Sequence, residues 1–240
     1  MKPFLFVALD GLADNETETL KKAEQLCLVN SPNFGFKINF DYLLLKGLKA
    51  GIETVQQFKR PVFADLKMNH GSRTMKKVVA ELVSLGVEYT NIYALADKLM
   101  HDSVKLTEDS QTKILGVTIL THFYNDDSNR GYIQKYFDCP GSALVASLAH
   151  YAVDNGCHGV ILPGNIYLLD LLKLNNFSGI KAVPGIRPSW YKDDRHSQTI
   201  EPAQAVAHGT DILVCGDPIM KDTGPVVALQ KILSEMEGPT

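Results

Sequence analysis

The chain has 240 residues, 45% of them hydrophobic and 21% charged, and carries a net charge of −3 at neutral pH. That mixture belongs to a folded globular protein, and the small net charge offers no basic surface to a nucleic acid or other polyanion. No apolar run approaches the roughly 18 residues that argue for a membrane span. The four cysteines (Cys27, Cys139, Cys157 and Cys215) are scattered without a C-x-x-C pair, which suits reduced thiols in a cytoplasmic protein.

Phe4–Leu9 is the first element, an apolar run that ends on Asp10. It is too short and wrongly flanked for a signal peptide, and reads as a strand. An amphipathic stretch, Thr17–Leu26, leads to a second strand at Phe34–Asn39 and a third at Val62–Leu66. A helix over Ser72–Leu85 precedes strands at Tyr89–Tyr93 and Ile114–Leu120. Then come a helix at Ser142–Asn155, a strand at Gly159–Leu162, a helix at Tyr167–Leu174 and a strand at Gly179–Val183. The series closes with a helix at Pro202–His208, a strand at Asp211–Cys215 and a last helix over Pro225–Met236.

Continuous apolar strands mark parallel strands covered on both faces. Eight of them separated by helices predict an α/β chain folded as one (β/α)8 TIM barrel domain over residues 1–240, close to the roughly 250 residues typical of that fold. A doubly wound sheet is disfavoured, because the turn Asp10-Gly11-Leu12-Ala13-Asp14 lacks a G-x-G-x-x-G pattern. Two polar segments, Asn125–Arg130 and Ser189–Thr199, follow strands and are candidate lids.

In such a barrel the chemistry sits at the C-terminal strand ends. Those positions hold Asp10, Lys37, Asp65 and Lys67, with His70 a little further on; polar groups continue at Asn39, Asn91, Thr118, Thr121, His122 and Asn165. One reading is a structural salt-bridge network. The other is chemical: Asp65 and Lys67 are two apart on a strand and face the same way. A lysine buried between carboxylates stays protonated and can deliver a proton to a carbanion. His70, His122 and His196 have no metal-ligand spacing, so no metal is expected. Trp190 and Tyr191 either stack on a bound ring or pack on the rim, and Cys215 reads as a small core residue.

Several motifs carry a family resemblance. Val7-Ala8-Leu9-Asp10, Gly35-Phe36-Lys37-Ile38 and Phe63-Ala64-Asp65-Leu66-Lys67 resemble orotidine 5′-monophosphate decarboxylase. So do Leu115–Thr121, Val183-Pro184-Gly185-Ile186-Arg187-Pro188 and Val214-Cys215-Gly216. The resemblance implies a cofactor-free, metal-free homodimeric barrel that removes carbon dioxide from the pyrimidine of a nucleotide. By position, Asp10 and Lys37 would hold ribose hydroxyls, Asp65 would sit against the departing carboxylate, and Lys67 would protonate the carbon left behind. Thr74 would reach into the neighbouring subunit's site. Asn39, Thr121, His122, Pro184, Arg187, His196, Gly216 and Asp217 would complete the substrate-binding set. A related branch of sugar-phosphate lyases carries a metal-binding glutamate where this chain has Lys37.

The departures bear on the substrate. The family's D-x-K-x-x-D reads Asp65-Leu66-Lys67-Met68-Asn69-His70 here, so a histidine stands where the partner-directed aspartate belongs. It is either a proton-transfer group or a filler. The phosphate-binding arginine of the family's Gly-Arg is Asp217, so a phosphate dianion binds poorly unless Arg187, Arg195 or His196 compensates. His122 replaces a base-contacting serine, and Tyr93 stands where a histidine is usual. Three functions follow: a lyase for orotidine 5′-monophosphate, a respecialised enzyme for an unphosphorylated nucleoside or other carboxylated heterocycle, or a silent binding barrel.

Overall fold

The structure is a computed structural model that describes residues 2–120, 132–192 and 199–238. The strands are β1 (Phe4–Ala8), β2 (Phe34–Asn39), β3 (Val62–Met68), β4 (Tyr89–Tyr93), β5 (Lys113–Val117), β6 (Gly159–Ile161), β7 (Ile180–Val183) and β8 (Ile212–Cys215). Each pairs in parallel with its sequence neighbour, and β1 pairs with β8, closing the barrel. The expected TIM barrel is therefore the observed fold.

Helices surround it: α1 (Glu16–Leu26), α2 (Phe40–Lys46), α3 (Leu48–Gln56), α4 (Ser72–Ser84), α5 (His101–Val104), α6 (Tyr132–Phe137) and α7 (Gly141–Asp154), followed by α8 (Ile166–Leu174), α9 (Pro202–Ala207), α10 (Asp217–Met220) and α11 (Pro225–Glu237). Their starts follow local chemistry. The Asn15 side chain accepts the Glu18 N–H at 3.1 Å, and Asn165 accepts the Leu168 N–H at 3.2 Å. Glu201 and Gln204 form a capping box around Pro202 at the start of α9. Between β2 and β3, where the sequence pattern marked no helix, α2 and α3 meet at Gly47, whose φ of 87° only glycine adopts readily.

Two apolar layers result. Inside the barrel, Phe6, Ala8, Phe63, Leu115, Ala182, Ile212 and Val214 form one packed cluster. The Phe6 ring meets Phe63 edge-on at 5.5 Å, and Gly35 makes room for it, because a Cβ there would fall 3.0 Å from Phe6 and 2.4 Å from the Pro61 carbonyl. The larger layer lies between strands and helices and includes Val7, Phe36, Ile52, Val79, Leu169 and Leu229. Above this apolar plug the barrel opens at the C-terminal strand ends. No helix among the described residues is long and apolar enough to cross a membrane.

Candidate active site

Above the apolar plug lies a cavity of about 390 Å³ whose floor is built from Ala8, Phe63, Val117, Ile161 and Val214. Charged residues line its walls: Asp10, Lys37, Asp65 and Lys67 from β1, β2 and β3, and Arg187 and Asp217 from beyond β7 and β8. Strand alternation explains the first group. Ala8, Phe63 and Val214 face inward, so Asp10, Asp65 and Gly216, two residues further along each strand, face inward one layer higher.

The four charges from β1, β2 and β3 form one connected cluster. Lys37 Nζ lies 3.1 Å from Asp65 Oδ2 and 3.2 Å from Asp10 Oδ1, and it also donates to Asn39 Oδ1. Asn39 Nδ2 in turn donates to Asp10 Oδ1 at 2.8 Å. Lys67 Nζ donates to the other oxygen of Asp65 at 2.7 Å. Asp65 and Lys37 are nearly buried, with side chains 9% and 8% exposed, whereas Lys67 is 39% exposed. Burial alone would raise the Asp65 carboxyl, but Lys37, Lys67 and the Asn91 amide hold it well below the usual carboxylate range. Burial would likewise depress Lys37, yet the Asp65 and Asp10 carboxylates outweigh it and hold the ammonium above its ordinary value. Both groups are therefore ionised throughout the physiological range. This is the charge alternation read from the strand ends, brought to hydrogen-bonding distance.

One feature of this cluster departs from a regular strand. The β3–β4 register runs from Ala64↔Thr90 directly to Met68↔Ile92, so β3 spends four residues where β4 spends two. Lys67 sits in that irregularity with φ 46°, a left-handed conformation that costs an L-residue about 1–2 kcal/mol. Asn91 fills the resulting gap: its Oδ1 accepts the Lys67 backbone N–H at 2.5 Å and its Nδ2 donates to Asp65 Oδ1 at 2.7 Å. The sequence places Asn91 on the polar rim, but nothing in a single asparagine within a strand announces this double contact.

The rest of the wall comes from the loops after β7 and β8. Pro184 and Gly185 line it, and Arg187 is held by its backbone N–H to Ile200 O at 3.0 Å. Arg187 Cζ lies 5.7 Å from the Tyr191 ring centroid. Gly216 is close against Asp10, since a Cβ there would sit 3.1 Å from Asp10 Oδ2 and 3.2 Å from Ala8 Cβ. Asp217 opens α10 and pairs with Lys221 at 3.4 Å. The cavity lining thus carries three cationic and three anionic side chains among the described residues: Lys37, Lys67 and Arg187 against Asp10, Asp65 and Asp217.

His70 and Thr74 do not face this cavity. They line a neighbouring groove of about 390 Å³ together with Phe40, Leu44, Leu48 and Met68, because the chain turns outward into α4 after Gly71. Trp190 also points away: its Nε1 donates to Glu235 Oε1 at 2.9 Å, and Lys231 lies 5.3 Å over its ring. It packs on the rim against α11. Cys215 is buried and its thiol is pushed up by that burial, as a core residue. The Tyr93 hydroxyl is pushed up by burial and by the Asp65 carboxylate. Thr121, His122, Arg195 and His196, the candidate lid Asn125–Arg130 and most of the lid Ser189–Thr199 lie outside the described residues.

Known proteins share this framework. Residues 3–232 match the family described as Orotidine 5′-phosphate decarboxylase / HUMPS family. The orotidine 5′-phosphate decarboxylase of Carboxydothermus hydrogenoformans is 32% identical over an alignment of 245 residues covering 99% of this chain and 98% of that protein. That of Aquifex aeolicus is 32% identical over 205 residues, covering 83% of this chain and 84% of its own. Among solved structures, orotidine 5′-phosphate decarboxylase from Lactobacillus acidophilus superposes with a TM-score of 0.75 at 26% identity, covering 99% of this chain and all of that one (100%). An uncharacterized conserved protein from Geobacillus kaustophilus reaches 0.76 at 20% identity, covering 98% of this chain and 100% of that one, a likeness of fold alone.

Proposed function

The chain belongs to the orotidine 5′-phosphate decarboxylase / HUMPS family, and from that premise we propose that it is a metal- and cofactor-independent decarboxylase of a carboxylated pyrimidine carried on ribose. The observation that carries this reading is the Lys67 ammonium 2.7 Å from a nearly buried Asp65 carboxylate, above an apolar floor. The ring lies on that floor with its carboxylate towards Asp65. Two unit charges about 4 Å apart interact by roughly 4 kcal/mol at an effective dielectric of 20, so the crowded carboxylates repel. Breaking the bond between ring carbon and carboxylate leaves the electron pair on the ring carbon and releases neutral carbon dioxide, which relieves that repulsion. The Lys67 ammonium stabilises the developing carbanion and then transfers its proton to it. Lys67, partly exposed, regains a proton from solvent, and the net change replaces carboxylate by hydrogen. Asp10, Lys37 and Asn39 bind the ribose hydroxyls, and Pro184, Arg187, Gly216 and Asp217 meet the far end of the substrate.

A second reading concerns that far end. Loops after strands 7 and 8 with a short extra helix are a common phosphate site in these barrels, but here the helix opens with Asp217. Among the described residues the lining is balanced in charge and offers no surplus cation to a dianion. This favours a substrate ending in a hydroxyl, as in orotidine, over its 5′-phosphate. Ultraviolet-monitored turnover of orotidine and orotidine 5′-monophosphate separates the two. The second reading expects orotidine to be preferred, and Asp217→Arg to swing the preference towards the phosphate by about 10²–10³-fold, the scale of the charge interaction above. Preference for the phosphate in the unaltered protein leaves the first reading alone. Turnover of neither removes both.

The same reading makes the protein a homodimer. Phe40, Leu44 and Leu45 on α2 are 51%, 68% and 74% exposed, an apolar face beside the groove that holds His70 and Thr74. A second copy seated there would bury it and carry His70 and Thr74 towards the partner's cavity. Four free thiols suit a reducing, cytoplasmic setting.

A further inference from the structure

We propose that Asn91 is the positioning residue of this site: one buried amide that fixes the Asp65 carboxylate and the Lys67 backbone together. Asn91 is fully buried at 0% exposure in the middle of β4. Asparagine is depleted in strands, and a buried amide is costly unless both its ends are hydrogen-bonded. Here both ends are used on one short stretch of the neighbouring strand. The carbonyl takes the Lys67 N–H at 2.5 Å, and the amino group donates to Asp65 Oδ1 at 2.7 Å.

The arrangement answers a specific geometric need. Regular pairing is interrupted between Ala64↔Thr90 and Met68↔Ile92, and Lys67 is left-handed at φ 46°. The Asn91 carbonyl supplies an acceptor for the Lys67 N–H inside that interruption. Its amino group meanwhile occupies a lone pair on the same carboxylate oxygen that receives Lys67 Nζ. Backbone and side chain of Lys67 are thus referred to one rigid group, and the ammonium can aim at a carbon without following the strand. Hydrogen bonding to the ionised form also favours ionised Asp65. Asn91 does not itself line the cavity and acts through Asp65 and Lys67, which do.

The kinetic consequence rests on the decarboxylase reading; the two structural consequences do not. In the unaltered protein the Lys67 amide should exchange with heavy water as slowly as β-sheet core amides, and the Asp65 carboxyl should titrate below the ordinary aspartate range by carbon-13 NMR. Asn91→Ala should speed Lys67 amide exchange at least 100-fold while Thr90 and Ile92 remain protected, and should raise the Asp65 midpoint. Asn91→Asp keeps the volume and the acceptor, so Lys67 stays protected while Asp65 titrates higher. Where turnover is measurable, Asn91→Ala should lower kcat about 10²-fold with KM changed little, the size expected of a misplaced catalytic group. A Lys67 amide that exchanges freely in the unaltered protein overturns the proposal without any variant. So does an Asn91→Ala protein whose Lys67 protection and Asp65 midpoint are unchanged, or one in which exchange rises uniformly along β3 and β4.

Discussion

Lys67→Ala should reduce turnover by about 10⁴-fold, the upper end of what one positioned proton donor contributes, while leaving a folded protein. The fold should survive because Lys67 is partly exposed, and Asp65 keeps Lys37 and Asn91 as partners after its loss. Lys67→Arg sharpens the test. A guanidinium retains the positive charge beside Asp65 but does not give up its proton in a protein. If charge alone were needed, arginine would restore most of the rate; the account expects it to stay within about tenfold of the alanine variant. Steady-state rates on the better of the two orotidine substrates, with circular dichroism as the control for folding, decide this. An alanine variant within tenfold of the parent would remove Lys67 from the chemistry.

Asp65→Asn should destabilise the protein by about 3–5 kcal/mol, the usual cost of stranding a buried ionic partner. For a chain of this size that corresponds to a fall in Tm of roughly 6–20 °C. The reason lies in Lys37, which is nearly buried, packed against Asp65 at 3.1 Å and left, among the described residues, with only Asp10 as a counter-ion. The effect should depend on pH in a definite direction. Asp65 is held below its ordinary value in the folded state, so its contribution is complete above the unfolded value of about 3.9. It fades as pH falls through the lower folded value. Lys37 is held above its ordinary value, so its contribution is complete below about 10.4 and fades only as pH rises through the folded value. Denaturant melts should therefore show the full gap between parent and variant from pH 5 to 9, narrowing below about pH 4. A variant of equal or higher stability at pH 7 would mean that the cluster stores charge strain instead of relieving it.

The barrel is legible in the sequence because its strands are continuous apolar runs, and a strand buried on both faces needs nothing else. The helices α2 and α3 are not, because Leu44 and Leu45 put large apolar groups on an exposed face and Gly47 breaks the period between them. The strand-end charges are legible for a simple reason: alternation on β1, β2 and β3 carries Asp10, Lys37 and Asp65 inward together. Lys67 meets Asp65 as the spacing suggests, but through a left-handed backbone and a register shift that no lysine codon reveals. His70, three residues beyond Lys67, lines the neighbouring groove instead of this cavity, because the chain has by then turned towards α4. Asn91 is visible as a polar residue in a strand, yet its partners belong to another strand and appear only in three dimensions.

Decarboxylation by Lys67 is tested by running the reaction in heavy water with a metal chelator present, offering orotidine and its 5′-monophosphate separately. Carbon dioxide and product are then measured by mass spectrometry. At least one substrate should lose one carbon dioxide per molecule and gain one deuteron on the vacated ring carbon, at a rate the chelator does not change and Lys67→Ala abolishes. Both substrates remaining intact, or carbon dioxide released equally fast by Lys67→Ala, would contradict it.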